Sequence, residues 1–318
     1  MTQNLCISIE KMKGISIYCR IFAPENVILS TKTQTVMKRI ILLISILCTT
    51  AAWAGRIVTD SIQSSVLSAT VKYNVYLPSN YERIQEPLPV VYLLHGLTDT
   101  YTAWAEKGGM KDIVDEIIGC GESRPVVIIM PNAGNPDVNN VWNGYFNMPG
   151  WAYEDFFFQE LMPTAEQKYR CAADKQHRAV MGLSMGGGGS VSYCQRHPDK
   201  FSSCFAMSPW LNSESGRVGP NGEKTKMFYT MEAVKEHSAL AFMDNADEAT
   251  QEQLRTVKWF IDSGDDDMLT NDAFELYKKM RITRLQAEFR VRNGSHNWEY
   301  WRASLRQALP FASRNFDK

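Results

Sequence analysis

Arg178-Ala179-Val180-Met181-Gly182-Leu183-Ser184-Met185-Gly186-Gly187-Gly188-Gly189 is the stretch on which the reading of this chain turns. Arg178–Leu183 reads as a strand, apolar from Ala179, and Met185–Arg196 reads as a helix. Between them stands G-x-S-x-G, the signature of a cramped strand-to-helix turn that lifts a serine hydroxyl out of the edge of a sheet. The glycines permit the turn. The helix N-terminus beneath the serine favours negative charge developing there. The run Gly186–Gly189 is a poor helix start by propensity, and it makes sense where neighbouring backbone must pack closely.

Outward from this point the chain alternates strands and helices. Pro89–Leu94 and Pro125–Met130 are continuous apolar runs, as strands covered on both faces require. Gly109–Ile118 reads as a helix. So does Tyr153–Tyr169, with Glu154 and Asp155 in a first turn whose dipole favours them. Downstream, Phe201–Met207, Thr256–Asp262 and Ala287–Val291 read as strands, and Asp272–Met280 and Asn297–Ala312 as helices. Arg56–Asp60 and Ser65–Leu77 alternate in polarity and predict an antiparallel entry to the sheet. The expected fold class is therefore α/β, a mostly parallel central sheet with helices on both faces. Residues 211–250 break the rhythm, polar as far as Lys226 and helical later, and are expected to form a small cap insertion.

A serine is a weak nucleophile without a base, and the chain has five histidines. On a sheet of this kind the order is serine, acid, histidine, which leaves His197, His237 and His296. His197 precedes Pro198 at the far end of the helix that starts under Ser184. His237 lies in the expected cap. His296 follows the last strand, where the base belongs. The acid should come from the loop after the preceding strand, Asp262-Ser263-Gly264-Asp265-Asp266-Asp267. Asp267, just before Met268-Leu269 and the next helix, is the choice, with Asp266 second and the rest read as solvated charge. A calcium loop of the EF-hand type fails, because the twelfth residue counted from Asp262 or Asp265 is Ala273 or Leu276. The oxyanion hole needs two NH donors: those of Met185 and of Leu97, in the His95-Gly96-Leu97 loop after an early strand, are expected, with His95 structural. This chemistry needs no metal and no cofactor.

The 318 residues are 44% hydrophobic and 22% charged, with a formal net charge of −1. That is a globular composition, and its near-zero charge gives no basis for nucleic acid as a partner. Met37-Lys38-Arg39, the apolar run Ile40–Leu47 and Ala52-Trp53-Ala54 together form a secretory signal peptide, with an apolar run too short to span a bilayer. The expected division is residues 1–36 upstream of the true start, signal peptide 37–54 and catalytic domain 55–318, secreted or periplasmic, with no stable membrane insertion after signal removal. Cys120, Cys171, Cys194 and Cys204 remain in that domain, and export allows disulfides whose pairing the sequence does not choose.

Further matching segments are Tyr92 through Asp99, Met130-Pro131-Asn132, Tyr153-Glu154-Asp155-Phe156, His197-Pro198-Asp199 and Gly294-Ser295-His296-Asn297-Trp298 with Tyr300-Trp301. With the G-x-S-x-G turn they make the chain, from about Val71 to Leu309, resemble the esterase D-like α/β-hydrolases: S-formylglutathione hydrolases, family 1 carbohydrate esterases (feruloyl and acetylxylan esterases) and mycolyltransferases. Gly188-Gly189 departs from many relatives, which carry bulkier residues there. The resemblance implies an α/β-hydrolase fold, supports Asp267 as the acid, and implies a serine carboxylesterase for acetyl or hydroxycinnamoyl esters, on small molecules or plant polysaccharide. An acyltransferase with the same triad and an S-formylglutathione hydrolase-like thioesterase are the alternatives. Trp104, Trp142, Trp210 and Trp298 are the residues expected to line a cleft for sugar rings or an aromatic acyl group.

Overall fold

The computed structural model describes residues 54–134 and 145–317, which fall in one unit, Ala52–Lys318. The expected leader, Ala54 apart, and Trp142 lie outside the described residues. In chain order the elements are β1 (Arg56–Ser64), β2 (Ala69–Leu77), β3 (Val90–Leu94), α1 (Ala103–Glu106), α2 (Met110–Gly119), β4 (Val127–Pro131), β5 (Asn147–Met148), β6 (Trp151–Ala152), α3 (Tyr153–Phe156), α4 (Met162–Lys168), β7 (Arg178–Leu183), α5 (Met185–Arg196), β8 (Ser203–Met207), α6 (Lys226–Glu236), α7 (Ala239–Asn245), α8 (Glu248–Leu254), β9 (Lys258–Gly264), α9 (Thr270–Ile282), β10 (Ala287–Arg292) and α10 (Trp298–Asn315).

Eight strands form one sheet in the order β1-β2-β4-β3-β7-β8-β9-β10, and β5 and β6 form a separate small hairpin. β1 and β2 enter antiparallel, and β3, β4 and β7 through β10 run parallel. The continuous apolar runs follow from this arrangement, because successive side chains of a strand point to opposite faces. Val90, Tyr92 and Leu94 of β3 enter one core layer with Val127 and Ile129 of β4. Val91 and Leu93 enter the other, with Ile128 and Met130 and with Trp301, Leu305 and Leu309 of α10. The sheet is thus mostly parallel with helices packed on both faces, as expected. Among the described residues no helix is long and apolar enough to cross a membrane.

Three local departures have physical causes. The second strand begins at Ala69, not Ser65: residues 65–68 are a turn in which Ser68 takes φ 52° and Glu160 accepts from the NH groups of Ser65 and Val66. The expected helix Tyr153–Tyr169 is broken by a wide π-helical turn at Phe157–Leu161. Pro163 follows it: it has no NH to donate to the preceding turn, and its ring crowds the carbonyl there. Asp262, read as strand end and solvated charge, lies inside β9 and is fully buried. It accepts from Arg292 Nη2 at 2.6 Å and Tyr300 Oη at 2.9 Å, and pairs with Ser304, so a buried carboxylate ties β9 to β10 and α10. In the 211–250 stretch, Ala233 and Val234 of α6 pack on Phe146, Met148 and Trp210.

Candidate active site

Ser184 stands between β7 and α5 with φ 53° and ψ −117°, a left-handed setting that costs a non-glycine residue about 1–3 kcal/mol and persists only where its surroundings over-determine it. The surroundings do so here. The Ser184 NH donates to Met207 of β8 at 2.8 Å, and its carbonyl accepts from the NH groups of Trp210 at 2.9 Å and Gly188 at 3.0 Å. A Cβ on Gly186 would lie 2.5 Å from the His95 carbonyl oxygen, and one on Gly188 would lie 2.0 Å from that of Trp210. The helix therefore starts on glycines because backbone from two other segments occupies the space that side chains would need.

His296 sits on the loop between β10 and α10. Its Nε2 is 2.9 Å from Ser184 Oγ, and its Nδ1 is 3.0 and 2.9 Å from the two Asp267 carboxylate oxygens. In the arrangement this implies, Nδ1–H donates to the carboxylate and Nε2 accepts the serine proton. The two loops are zipped together by hydrogen bonds from backbone NH groups. Asp266 NH donates to the Gly294 carbonyl at 3.0 Å, Gly294 NH to Asp265 Oδ1 at 2.8 Å, and Asp265 NH to the Arg292 carbonyl at 3.0 Å. Asp265 and Asp266 thus serve the loop, and Asp267 alone of the run reaches a histidine. Burial raises the pKa of the Asp267 carboxyl, but hydrogen bonds from His296, Ser208 and the Leu269 NH outweigh it and hold the carboxyl below its ordinary value. It stays an anion beside the imidazole.

Ser208, which nothing in the sequence singled out, belongs to this cluster. It is fully buried at φ 45°, donates its NH to the Asp262 carbonyl at 2.7 Å, and accepts from the Trp301 indole NH at 3.1 Å. The Trp301 ring in turn stands edge-on to the His296 ring, 4.9 Å between centroids. The only signal in the sequence was position, at the C-terminal end of a parallel strand where such sites collect.

The other histidines go elsewhere. His95 is 2% exposed. Its Nδ1–H donates to the Gly96 carbonyl at 2.8 Å, and its Nε2 accepts from the Ala133 NH at 3.1 Å. Burial pushes its pKa down, against the smaller pull of the Gly96 bond and Asp99, so the ring stays neutral and braces its loop. A Cβ on Gly96 would lie 3.7 Å from Ser184 Cβ, so the Gly96-Leu97 backbone passes close to the serine. Met185 is the first residue of α5, where an NH has no intrahelical partner. His177 pairs with Asp174, His197 with Glu154, and His237 donates to the Ala233 carbonyl and stacks on Phe146.

The tryptophans divide. Trp104 is 1% exposed, and its indole NH donates to the Leu94 carbonyl. It is core, not cleft wall, because β3 supplies an acceptor that secures the ring inside. Trp298 is partly buried, edge-on to both Trp104 and Trp301. Trp210 is partly buried beside the serine turn, against Phe146 and Met148.

The arrangement joins a hydroxyl, an imidazole and a buried carboxylate in one relay, which suits acyl transfer through a serine. Residues 64–312 match the family model for esterases. A solved structure of a ferulic acid esterase is 43% identical, covers 83% of this chain and all of its own, and superposes with a TM-score of 0.78. The endo-1,4-beta-xylanase/feruloyl esterase of Xylanibacter ruminicola is 34% identical over 132 residues, 40% of this chain and 18% of that protein. The chain spans less than a third of the length of the curated relatives it matches. An S-formylglutathione hydrolase from Agrobacterium tumefaciens, 21% identical with a TM-score of 0.66 over 83% of this chain and 97% of its own, shares the fold.

Proposed function

The chain belongs to the esterase family, and from that premise we propose that it is an exported serine carboxylesterase that releases hydroxycinnamoyl groups, and acetyl groups, from plant polysaccharide. The observation that carries the reading is the Ser184–His296–Asp267 relay, in a chain 43% identical to a ferulic acid esterase over the whole of that structure. Export is supported by the signal-peptide pattern of residues 37–54.

The chemistry follows from the distances. Ser184 Oγ attacks the ester carbonyl carbon while its proton passes to His296 Nε2, 2.9 Å away. Asp267, held anionic, keeps the imidazole in the tautomer that accepts at Nε2 and stabilises the cation that forms. The carbonyl oxygen becomes an oxyanion, and the NH groups of Met185 and Leu97 bind it. Collapse breaks the ester C–O bond, and His296 returns the proton to the leaving alcohol. A water, deprotonated by His296, then attacks the acyl-serine, frees the acid and restores Ser184. Trp210, whose NH donates to the Ser184 carbonyl, and Trp298, edge-on to Trp301 beside His296, are the aromatic side chains we assign to contact an aromatic acyl group or a sugar.

The test is a panel of methyl ferulate, p-nitrophenyl acetate and longer acyl esters, with wild type and Ser184→Ala. Wild type should turn over methyl ferulate and the acetate ester. Ser184→Ala should abolish both and leave the circular dichroism spectrum unchanged. Substantial residual turnover in the variant defeats the mechanism, and an acetate-only profile defeats the hydroxycinnamoyl assignment.

A further inference from the structure

Strand β10 closes one side of the sheet. It pairs along its length with β9 and, among the described residues, has no strand on its other side. The Arg292 carbonyl accepts from Asp265 on the β9 side. Peptide groups of successive strand residues turn to alternate sides, so Glu288, Arg290 and Arg292 face β9, while Ala287, Phe289 and Val291 present their NH and carbonyl groups outward. The side chains alternate by face as well. Phe289 lies on Phe274 and Tyr277 of α9, with ring centroids 5.8 and 5.1 Å apart, and Phe274 and Val291 are about half exposed, 47% and 46%. Glu288 and Arg290 lie on the other face, where Glu288 pairs with Arg314 and Arg290 lies over the Phe260 ring.

An open edge with outward amides is a template for another strand, and the side chains here say which one. When a second copy of the chain pairs antiparallel about a two-fold axis at Phe289, Phe289 meets Phe289 of the copy in a hydrogen-bonded pair. Ala287 then meets Val291, and Glu288 meets Arg290, on both sides of the axis. Moving the axis by one residue sets Glu288 or Arg290 opposite itself, like charge on like charge. The strand is self-complementary in one register, with an aromatic patch on one face and two crossed ion pairs on the other. We infer that this edge is a homodimer interface, in which two β10 strands join two eight-stranded sheets into one.

Sedimentation velocity on the full chain tests this through a charge swap. Wild type should sediment with the mass of two chains. Glu288→Arg places like charges opposite each other twice and should halve the mass. The double variant Glu288→Arg/Arg290→Glu restores opposite charges across the axis and should return the mass to two chains. Both variants lose the Glu288–Arg314 contact, but Glu288 also pairs with Arg290 within the strand at 3.7 Å, a pair that the single variant loses and the double variant restores in reverse. Mixing the single variants Glu288→Arg and Arg290→Glu separates the two effects: neither has the pair within its strand, yet across the axis their charges are opposite, so the mixture should return the mass to two chains, and a mixture that stays single overturns the inference. Unchanged hydrolysis of p-nitrophenyl acetate reports that each remains folded. A wild type of single mass, with the edge open or covered by another segment of the chain, overturns the inference. So does a dimer indifferent to Glu288→Arg, or a double variant that stays single.

Discussion

At the scale of single residues, the site depends on one carboxylate being kept charged where burial alone would neutralise it. Asp267 carries this through bonds from His296, Ser208 and Leu269. An asparagine there keeps the shape, but its amide can donate to Nδ1 and so favours the tautomer with its proton on Nε2, facing the serine. Asp267→Asn should therefore lower kcat on p-nitrophenyl acetate on the order of 10⁴-fold, with KM little changed in steady-state kinetics. Much of this centre was legible beforehand, because G-x-S-x-G, a histidine after the last strand and an acid before it follow one another in a fixed order. Three residues were not. Asp262 sits in a run of aspartates that reads as solvated, and only the depth of β9 and the reach of Arg292 make it a buried tie. Trp104 reads as a cleft aromatic until the Leu94 carbonyl is seen to hold its indole. Ser208 carries no motif, since its role depends on Trp301, 93 residues away.

At the scale of elements, the start of α5 is packed tightly against neighbouring backbone. Gly188 meets the Trp210 carbonyl, so Gly188→Ala must push α5 from the segment that follows β8. Overpacking of this kind costs about 1–3 kcal/mol, and here it also strains the bond from the Trp210 NH to the Ser184 carbonyl. The variant should melt at lower temperature by circular dichroism and lose activity in the still-folded fraction. The glycine run was legible as a demand for close approach, though not what approached. Parallel strands were legible for a related reason, since burial on both faces leaves an unbroken apolar run. The π-helical turn before Pro163 was not, because it depends on how one ring meets the preceding turn of backbone.

At the scale of the whole molecule, Asp60 helps to tie the first strand to the helical layer, as does the bond from Ser64 to Glu160. Asp60 of β1 accepts from Tyr73 and Tyr169 hydroxyls, each at 2.8 Å, and pairs with Lys168. Burial opposes its charge, but these partners prevail and lower its pKa from 3.8 to about 2. The folded value lies below the unfolded one, so this stabilisation is fully present above the ordinary carboxylate range and is lost as pH falls toward about 2. Asp60→Asn should flatten that part of the acid limb in melting temperature measured against pH. The candidate nucleophile and base, finally, stand 112 residues apart in the chain and meet only where β8, β9 and β10 lie side by side next to β7. A chromogenic ester is then more than a substrate: its turnover counts the molecules whose sheet is assembled from β7 through to its last strand.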